Sequence, residues 1–299
     1  MNFIVNLNKP SGISSQQAVT RVKRLLAVAK AGHTGTLDPM ATGVLLVCLN
    51  EATKVSRFFL EMDKKYRARV KIGERTDTYD AEGMVTETGD ISAITEENVV
   101  QAARVFVGRI NQKPPMYSAV KVGGEALYKL ARKGIEIERA ERPIEIYDLR
   151  ITEVRLPFFE MEISCSKGTY IRTLCDDIGS RLGTGAHMVA LERTGIGNFD
   201  IKDSVTLDEL GGAGLDDDKD LPGDKGYLCG PDEALSGLTE IVLNDTDFRK
   251  AMDGVAVACC KTAFPADVEY VRLKGPSGNL FGIGKRDINI IRVERILKL

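Results

Sequence analysis

The chain has 299 residues, room for about two domains of typical size, and 41 basic against 43 acidic side chains leave a formal net charge of −2. Bulk charge therefore gives no sign of a nucleic-acid partner, and a 43% hydrophobic, 28% charged composition excludes the disordered and collagenous classes. No apolar run approaches the roughly 20 residues of a bilayer span, and the opening MNFIVNLNKPSGISS lacks the pattern of a signal peptide, so a cytoplasmic protein is expected.

The first predicted helix follows KPSG. Ser14 and Gln17 form a capping-box pattern, Val19, Val22, Leu25 and Leu26 make an apolar face, and Arg21 and Arg24 point away from it. Next comes the Gly- and Thr-rich loop AGHTGTLDPMATG, leading into VLLVCL (44–49), a continuous apolar run of the kind a strand buried on both faces shows. In YRARVKIG the residues Tyr66, Ala68, Val70 and Ile72 alternate with Arg67, Arg69 and Lys71, which predicts a strand with one core face and one basic face. FEMEISC repeats the alternation through Phe159, Met161, Ile163 and Cys165 and passes through SKGTY into a helix whose stripe is Ile171, Leu174, Ile178 and Leu182, with Gly183 as C-cap.

Helices and strands interleave without a regular βαβ rhythm, so the fold class expected is α+β with a mixed sheet. The stretch GGAGLDDDKDLPGDKG (211–226) reads as an acidic linker, with a domain boundary near 235. Beyond it, short strand-like segments separated by Gly, Asp and Pro-Ser-Gly turns predict a small β-barrel of about 60 residues.

Charge is uneven along the chain. Residues 1–75 hold 13 Lys and Arg against 5 Asp and Glu, a net of +8, whereas residues 201–235 hold 3 against 10. Six cysteines without a CxxC and only two histidines, His33 and His187, support neither a zinc cluster nor a disulfide framework, so no metal is expected. The adjacent Cys259 and Cys260 read as buried free thiols, and His187 as a structural histidine.

GxxxxGK[ST], GxSxG, HExxH and GxGxxG between a strand and a helix are all missing, so the common nucleotide, hydrolase and zincin mechanisms have no support. Asp38 is singled out by Pro39, which biases it toward an extended backbone at the entrance to the buried run. A carboxylate there suits a nucleophile, a base or the stabiliser of a sugar cation, but by pattern alone an Asp-Pro turn or a cap is the favoured reading.

The run GHTGTLDPMATGVL (32–45) resembles the catalytic motif of the TruB family of tRNA pseudouridine synthases. Four further stretches agree in order and spacing: NKPSGISS (8–15), DKKYRARVKIGERTDTYDAEG (63–83), PPMYSAVKVGGEALYKLARKG (114–134) and CSKGTYIRTLCDDIGSRLGTGAHMVALERTGIGNF (165–199). Asn8 departs from the Asp that many members carry before the Lys-Pro pair. The resemblance implies a catalytic domain over 1–234, with a mobile thumb near 114–143 and the linker at about 211–234, followed by a PUA-like barrel over 235–299.

By matching motif, the resemblance makes Asp38 the catalytic nucleophile, Tyr66 the aromatic that stacks on the target base and takes part in proton removal, and Arg172 the partner of Asp38. Tyr170 would line the same pocket, Leu191 would wall the uracil, His33 would sit beneath the loop that displaces the base, and Lys54 would meet the RNA backbone or the active-site charges. Without the resemblance, Tyr66 reads first as a core aromatic and Arg172 as a structural ion pair. Arg172 beside Asp38 is expected to lower that carboxylate's pKa. Candidate RNA contacts are Lys9, Arg21, Arg24, Lys121, Lys129 and Arg132, with Arg67, Arg69, Lys71 and Lys133 as further basic residues. The implied reaction converts uridine-55 of the tRNA T arm by base flipping, without a cofactor, in a monomer that touches no membrane. The rivals are a non-catalytic tRNA-binding or folding-assistance protein of the same fold and a glycoside hydrolase, which would need a carboxylate pair.

Overall fold

Alternating strands with one covered face and an apolar strand with two lay out a mixed sheet in this computed structural model. The structure describes residues 1–118, 120–212, 226–258 and 268–299, without the side chains of Lys121, Ala126 and Arg132. Most of the acidic linker, the Cys259–Cys260 pair and the proposed contacts of Lys121 and Arg132 lie outside the described residues.

The larger sheet contains β1 (Ile4–Lys9), β2 (Ala31–His33), β3 (Thr42–Leu49), β4 (Lys64–Ile72), β5 (Gly108–Gln112), β6 (Arg142–Arg155), β7 (Phe158–Cys165), β8 (Ala186–Ile196), β9 (Phe199–Asp200) and β10 (Leu228–Cys229). Its order is β10-β1-β3-β8-β4-β7-β6-β5, with β2 paired to β3 and β9 to β8. β3 and β8 run parallel, and the other neighbours on that path antiparallel, so the sheet is mixed as expected.

β3 is covered on both faces. Leu45, Val47 and Leu49 join the core that holds helix α1 (Ser15–Leu25) and helix α2 (Ile171–Leu182), while Val44, Leu46 and Cys48 pack in a second cluster with Leu280, Ile283 and Leu297. Full burial of such side chains stabilises by about 1.5–3 kcal/mol each, so β3 ties the C-terminal part of the chain to the rest. One face of β4 buries Ala68, Val70 and Ile72, and one face of β7 buries Phe159, Met161, Ile163 and Cys165.

The basic side of β4 faces outward as expected, and its side chains have partners. Arg67 faces Glu162 on one neighbouring strand and Glu192 on the other, and bridges both at 3.4 and 3.2 Å. Lys71 pairs with Glu74 at 2.6 Å, and Arg69 lies over the Phe158 ring at 4.6 Å. Arg67 and Lys71 are thus paired with flanking glutamates, whereas Arg69 rests on an aromatic ring and keeps its charge.

α1 begins at the predicted capping box, with the Gln17 N–H donating to Ser14 Oγ and the Ser14 N–H to Gln17 Oε1. Its buried stripe is Ser15, Ala18, Val19, Val22 and Leu26. Leu25, expected on that face, is 42% exposed, because one residue's step of about 100° turns it away from Leu26.

The C-terminal sheet has β11 (Thr239–Val242), β12 (Val257–Ala258), β13 (Tyr270–Lys274), β14 (Leu280–Asp287) and β15 (Ile290–Ile296), in the order β11-β13-β14-β15-β12. Helix α3 (Asp245–Met252) packs on it through an edge-to-face pair of Phe248 and Phe281, centroids 4.8 Å apart. The expected barrel is a curled open sheet, since β11 and β12 do not pair with each other among the described residues. No helix among those residues is long and apolar enough to cross a membrane.

Candidate active site

Asp38 is held by a loop pinned from two sides. Ser15 Oγ, at the start of α1, accepts from the Leu37 N–H at 2.8 Å and donates to the Leu37 carbonyl at 2.9 Å. The KPSG turn grips the next residues, with the Gly12 N–H on Pro39 O at 2.9 Å and Ser11 Oγ on Met40 O at 3.1 Å. The Ala41 N–H closes back onto Asp38 O, so the Asp-Pro turn is present as well.

Lys9 is fully buried, and its ammonium donates to the carbonyls of Pro10 and Ile13 at 2.8 Å and of Pro39 at 3.3 Å. The RNA-contact expectation for Lys9 is therefore corrected. A charge so enclosed serves the loop, and only its satisfied hydrogen bonds make the burial tolerable.

On the opposite wall, α2 presents Arg172 at its second position, after Tyr170 as N-cap. Arg172 is 7% exposed. Its Nε lies 3.1 Å from Asp38 Oδ2 and its Nη2 3.4 Å from Oδ1, while Nη1 reaches Asp80 Oδ2 at 3.1 Å and Nη2 donates to Tyr117 O at 2.7 Å. Asp80, 3% exposed, is itself fixed by the Thr78 hydroxyl at 2.6 Å and the Glu82 N–H at 3.1 Å. One guanidinium thus serves two carboxylates and a backbone carbonyl.

The floor comes from two adjacent strands on which Tyr66 and Arg193 stand opposite each other in register. Arg193, 2% exposed, donates to Val44 O at 2.7 Å and Gly35 O at 3.0 Å and pairs with the Tyr66 phenol. This close approach of β8 to β3 requires Gly43, whose φ is +97° and where a Cβ would stand 2.3 Å from Arg193 O. A cavity of about 330 Å³ results, lined by Asp38, Tyr66, Tyr117, Tyr170, Arg172 and Leu191 among others.

Electrostatics correct one expectation. Burial raises the Asp38 carboxyl above its ordinary value, and Arg172 opposes the shift without cancelling it; Asp80 adds to it and Lys9 subtracts. Arg172 is shared with a second carboxylate, so Asp38 does not receive its full charge. Burial pulls the ammoniums of Lys9 and Lys64 down to about 8, with Asp38 the main opposing influence on Lys9. The Tyr66 phenol is pushed up by burial, against Arg193.

Among the residues singled out above, Asp38, Tyr66, Tyr170, Arg172 and Leu191 converge on this cavity. His33 does not line it; it stands on β2 beside Val47, and burial lowers its pKa. Lys54 lies past the far end of β3, roughly 23 Å of strand from the entrance. It pairs with Glu51 at 2.7 Å and donates to Ile296 O at 3.0 Å, so it belongs to the C-terminal seam and stands outside the Asp38–Arg172–Asp80 network. Arg21 and Arg24 are exposed on α1, without an ion-pair partner among the described residues, and Lys129 is exposed in the helix Leu127–Arg132.

Sequence reasoning missed Asp80 and Arg193. Both lie inside stretches that carry the resemblance, but a lone Asp in TYDAEG and a lone Arg in a strand read as surface residues. A larger cavity, about 640 Å³, opens on the seam between Phe58, Met62, Leu238 and Tyr270. It holds none of the Asp38, Arg172 and Asp80 side chains, so chemistry rather than size selects the site.

An aspartate paired to a buried arginine beside an aromatic floor thus sits on a mixed sheet, and comparison with known proteins supplies the class, that of the pseudouridine synthases. Family models match in succession: the N-terminal domain of TruB family pseudouridylate synthases over residues 23–171, and the C-terminal domain of tRNA pseudouridylate synthase B over 172–229. The chain belongs to the TruB family and is a pseudouridine synthase. It is 46% identical over 257 residues to the tRNA pseudouridine synthase B of Clostridium tetani, covering 86% of each chain. With that of Pasteurella multocida it shares 42% over 293 residues, covering 97% of this chain and 94% of the other. A chain in an H/ACA ribonucleoprotein bound to a substrate RNA containing 2′-deoxyuridine superposes with a TM-score of 0.75 at 23% identity, covering 99% of this chain and 85% of that one, a likeness of fold alone.

Proposed function

We propose that this enzyme isomerises uridine-55 in the T arm of tRNA to pseudouridine, with Asp38 as nucleophile and with the target base flipped into the cavity. The observation that carries the reading is the Asp38–Arg172 pair at 3.1 Å, set above Tyr66 and walled by Leu191. In the reaction the N1–C1′ bond breaks, the uracil turns, and a C5–C1′ bond forms while the C5 proton is lost and N1 gains one. Atoms balance within the nucleotide, so one ionised carboxylate, an aromatic face and exclusion of water meet the chemical needs.

Arg172 supports the ionised form of Asp38 and aims it. Extracting the uridine from a folded RNA costs a few kcal/mol, and stacking on Tyr66 offsets about 1–3 kcal/mol of that. The names of the relatives support tRNA as substrate. The curled C-terminal sheet, read as PUA-like, would extend the RNA contact.

The test uses an unmodified tRNA transcript and a pseudouridine-specific chemical label. Wild-type protein should modify one position, uridine-55, and Asp38→Asn should bind the tRNA without product. Product from Asp38→Asn at an undiminished rate would remove Asp38 from its role, and a label at another position would remove the T-arm assignment.

A further inference from the structure

Gln112 is the last residue of β5, 2% exposed, and its side chain makes an unusual pair of bonds. Its Nε2 donates to Tyr170 O at 3.0 Å, and its Oε1 accepts from the Tyr170 N–H at 2.8 Å. The carboxamide thereby holds both main-chain polar groups of one residue, a match that only one orientation of the amide satisfies. Tyr170 is the N-cap of α2 and has no side-chain cap bond of its own, and Arg172 follows two residues later.

The segment that begins after Gln112 returns to the same place. Arg142 pairs with Gln112 in register, Arg139 Nη1 donates to Pro114 O at 3.2 Å, and the Tyr117 carbonyl accepts from Arg172 Nη2 at 2.7 Å. Two links therefore run from this root to the catalytic arginine: the Gln112 amide to the helix start, and the Tyr117 carbonyl to the guanidinium itself.

We propose that Gln112 is a positioning residue, whose amide fixes the main chain of Tyr170 and through it the Arg172 guanidinium against Asp38. The inference rests on the Asp38–Arg172 pair being catalytic, as proposed above. Gln112 itself does not line the cavity and touches no reacting atom. A loosened helix start lets the guanidinium drift, and displacements near 1 Å cost about 100-fold in rate.

The experiment compares single-turnover rate and tRNA dissociation constant for full-length wild type, Gln112→Ala, Gln112→Glu and Asp38→Asn. Gln112→Ala should slow the chemical step by roughly 10- to 100-fold, with the tRNA dissociation constant within about threefold of wild type. Gln112→Glu keeps an acceptor for the Tyr170 N–H, but when ionised it has no donor for Tyr170 O; protonation restores one. Its rate relative to wild type should rise as pH falls, whereas that of Gln112→Ala stays level. A role confined to folding would lower the melting midpoint without that pH-dependent recovery, and if Gln112→Ala fails to fold, Gln112→Glu decides. Both variants turning over within about twofold of wild type, or a loss confined to tRNA affinity, would overturn the proposal. With Asp38→Asn inactive, that outcome refutes the positioning role alone; an active Asp38→Asn refutes the catalytic pair beneath it.

Discussion

Arg172 meets Asp80 through Nη1 at 3.1 Å, the same distance at which its Nε meets Asp38, so the arginine that holds Asp38 is itself held by a second, more deeply buried carboxylate. Asp80 has two opposed effects on Asp38. It orients the guanidinium, and as a like charge it adds to the burial that raises the Asp38 carboxyl.

Asp80→Asn separates the two effects. A nucleophile must be ionised, and Asp38 holds its proton to a higher pH than an ordinary aspartate, so activity is lost as pH falls through that raised value. The acid limb of kcat/KM in the wild type should therefore lie above the ordinary Asp value of about 3.9. Removing the Asp80 charge should move the limb to lower pH, and loss of one charge-assisted bond to Arg172 should reduce the plateau by about tenfold or more. A limb that stays in place or moves upward would show that Asp80 does not act on Asp38 electrostatically.

Tyr66 combines a stacking face with a hydroxyl that the buried Arg193 uses. Tyr66→Phe keeps the face and strips Arg193 of that acceptor, which should cost about 1–3 kcal/mol of stability and leave tRNA affinity within about twofold. Tyr66→Leu should in addition lose about 1–3 kcal/mol of stacking. Urea denaturation beside tRNA titration checks both, and a Tyr66→Phe protein as stable as wild type would mean that the phenol does not hold Arg193.

What could be read from the sequence follows from how local each cause is. The double burial of β3 is written in VLLVCL, the alternation of β4 and β7 in consecutive residues, and the start of α1 in Ser14 and Gln17. The grip of Arg172 on Asp80 joins positions 92 apart, and neither residue's neighbours disclose it. Lys9 misleads because exposed bases are the rule; only the folded chain shows that three carbonyls enclose it, or that two glutamates flank the exposed Arg67. The same limit hid Gln112, whose partner is the backbone of a residue 58 positions away. Raised titration of Asp38 could not be foreseen either, since burial outweighs a neighbour that the motif makes visible.

Arg21 and Arg24 sit exposed on α1, whose first turn pins the loop carrying Asp38. If they meet phosphates, each contact releases counterions and contributes about 0.7–0.9 to the slope of log affinity against log salt. Arg21→Ala with Arg24→Ala should make that slope shallower by up to twice this amount, whereas Arg67→Ala, a base already shared by Glu162 and Glu192, should change it less. Equal slopes for the wild type and the double variant would move the RNA path off this helix.

Asp177 tests the linkage of titration to stability at a group outside the Asp38–Arg172–Asp80 network. Its carboxyl is pushed up to about 6, first by burial and then by neighbouring Asp176, with Arg75 opposing. The unfolded chain would titrate near 3.9, so the folded state holds the proton more tightly. Stability from this group is therefore fully present below the unfolded value and declines as pH rises from about 4 to 6. Asp177→Asn removes that decline. The uncorrected shift corresponds to nearly 3 kcal/mol, but the group is only half-buried and solvent screening reduces the gain at pH 7 to about 1 kcal/mol. Urea denaturation at pH 4 and pH 7 should show variant and wild type equal at the lower pH and separated in favour of the variant at the higher. A variant equally stabilised at both would place the effect in packing rather than in the proton, and one destabilised at pH 7 would mean that the Asp177 carboxylate makes a favourable contact that burial does not outweigh.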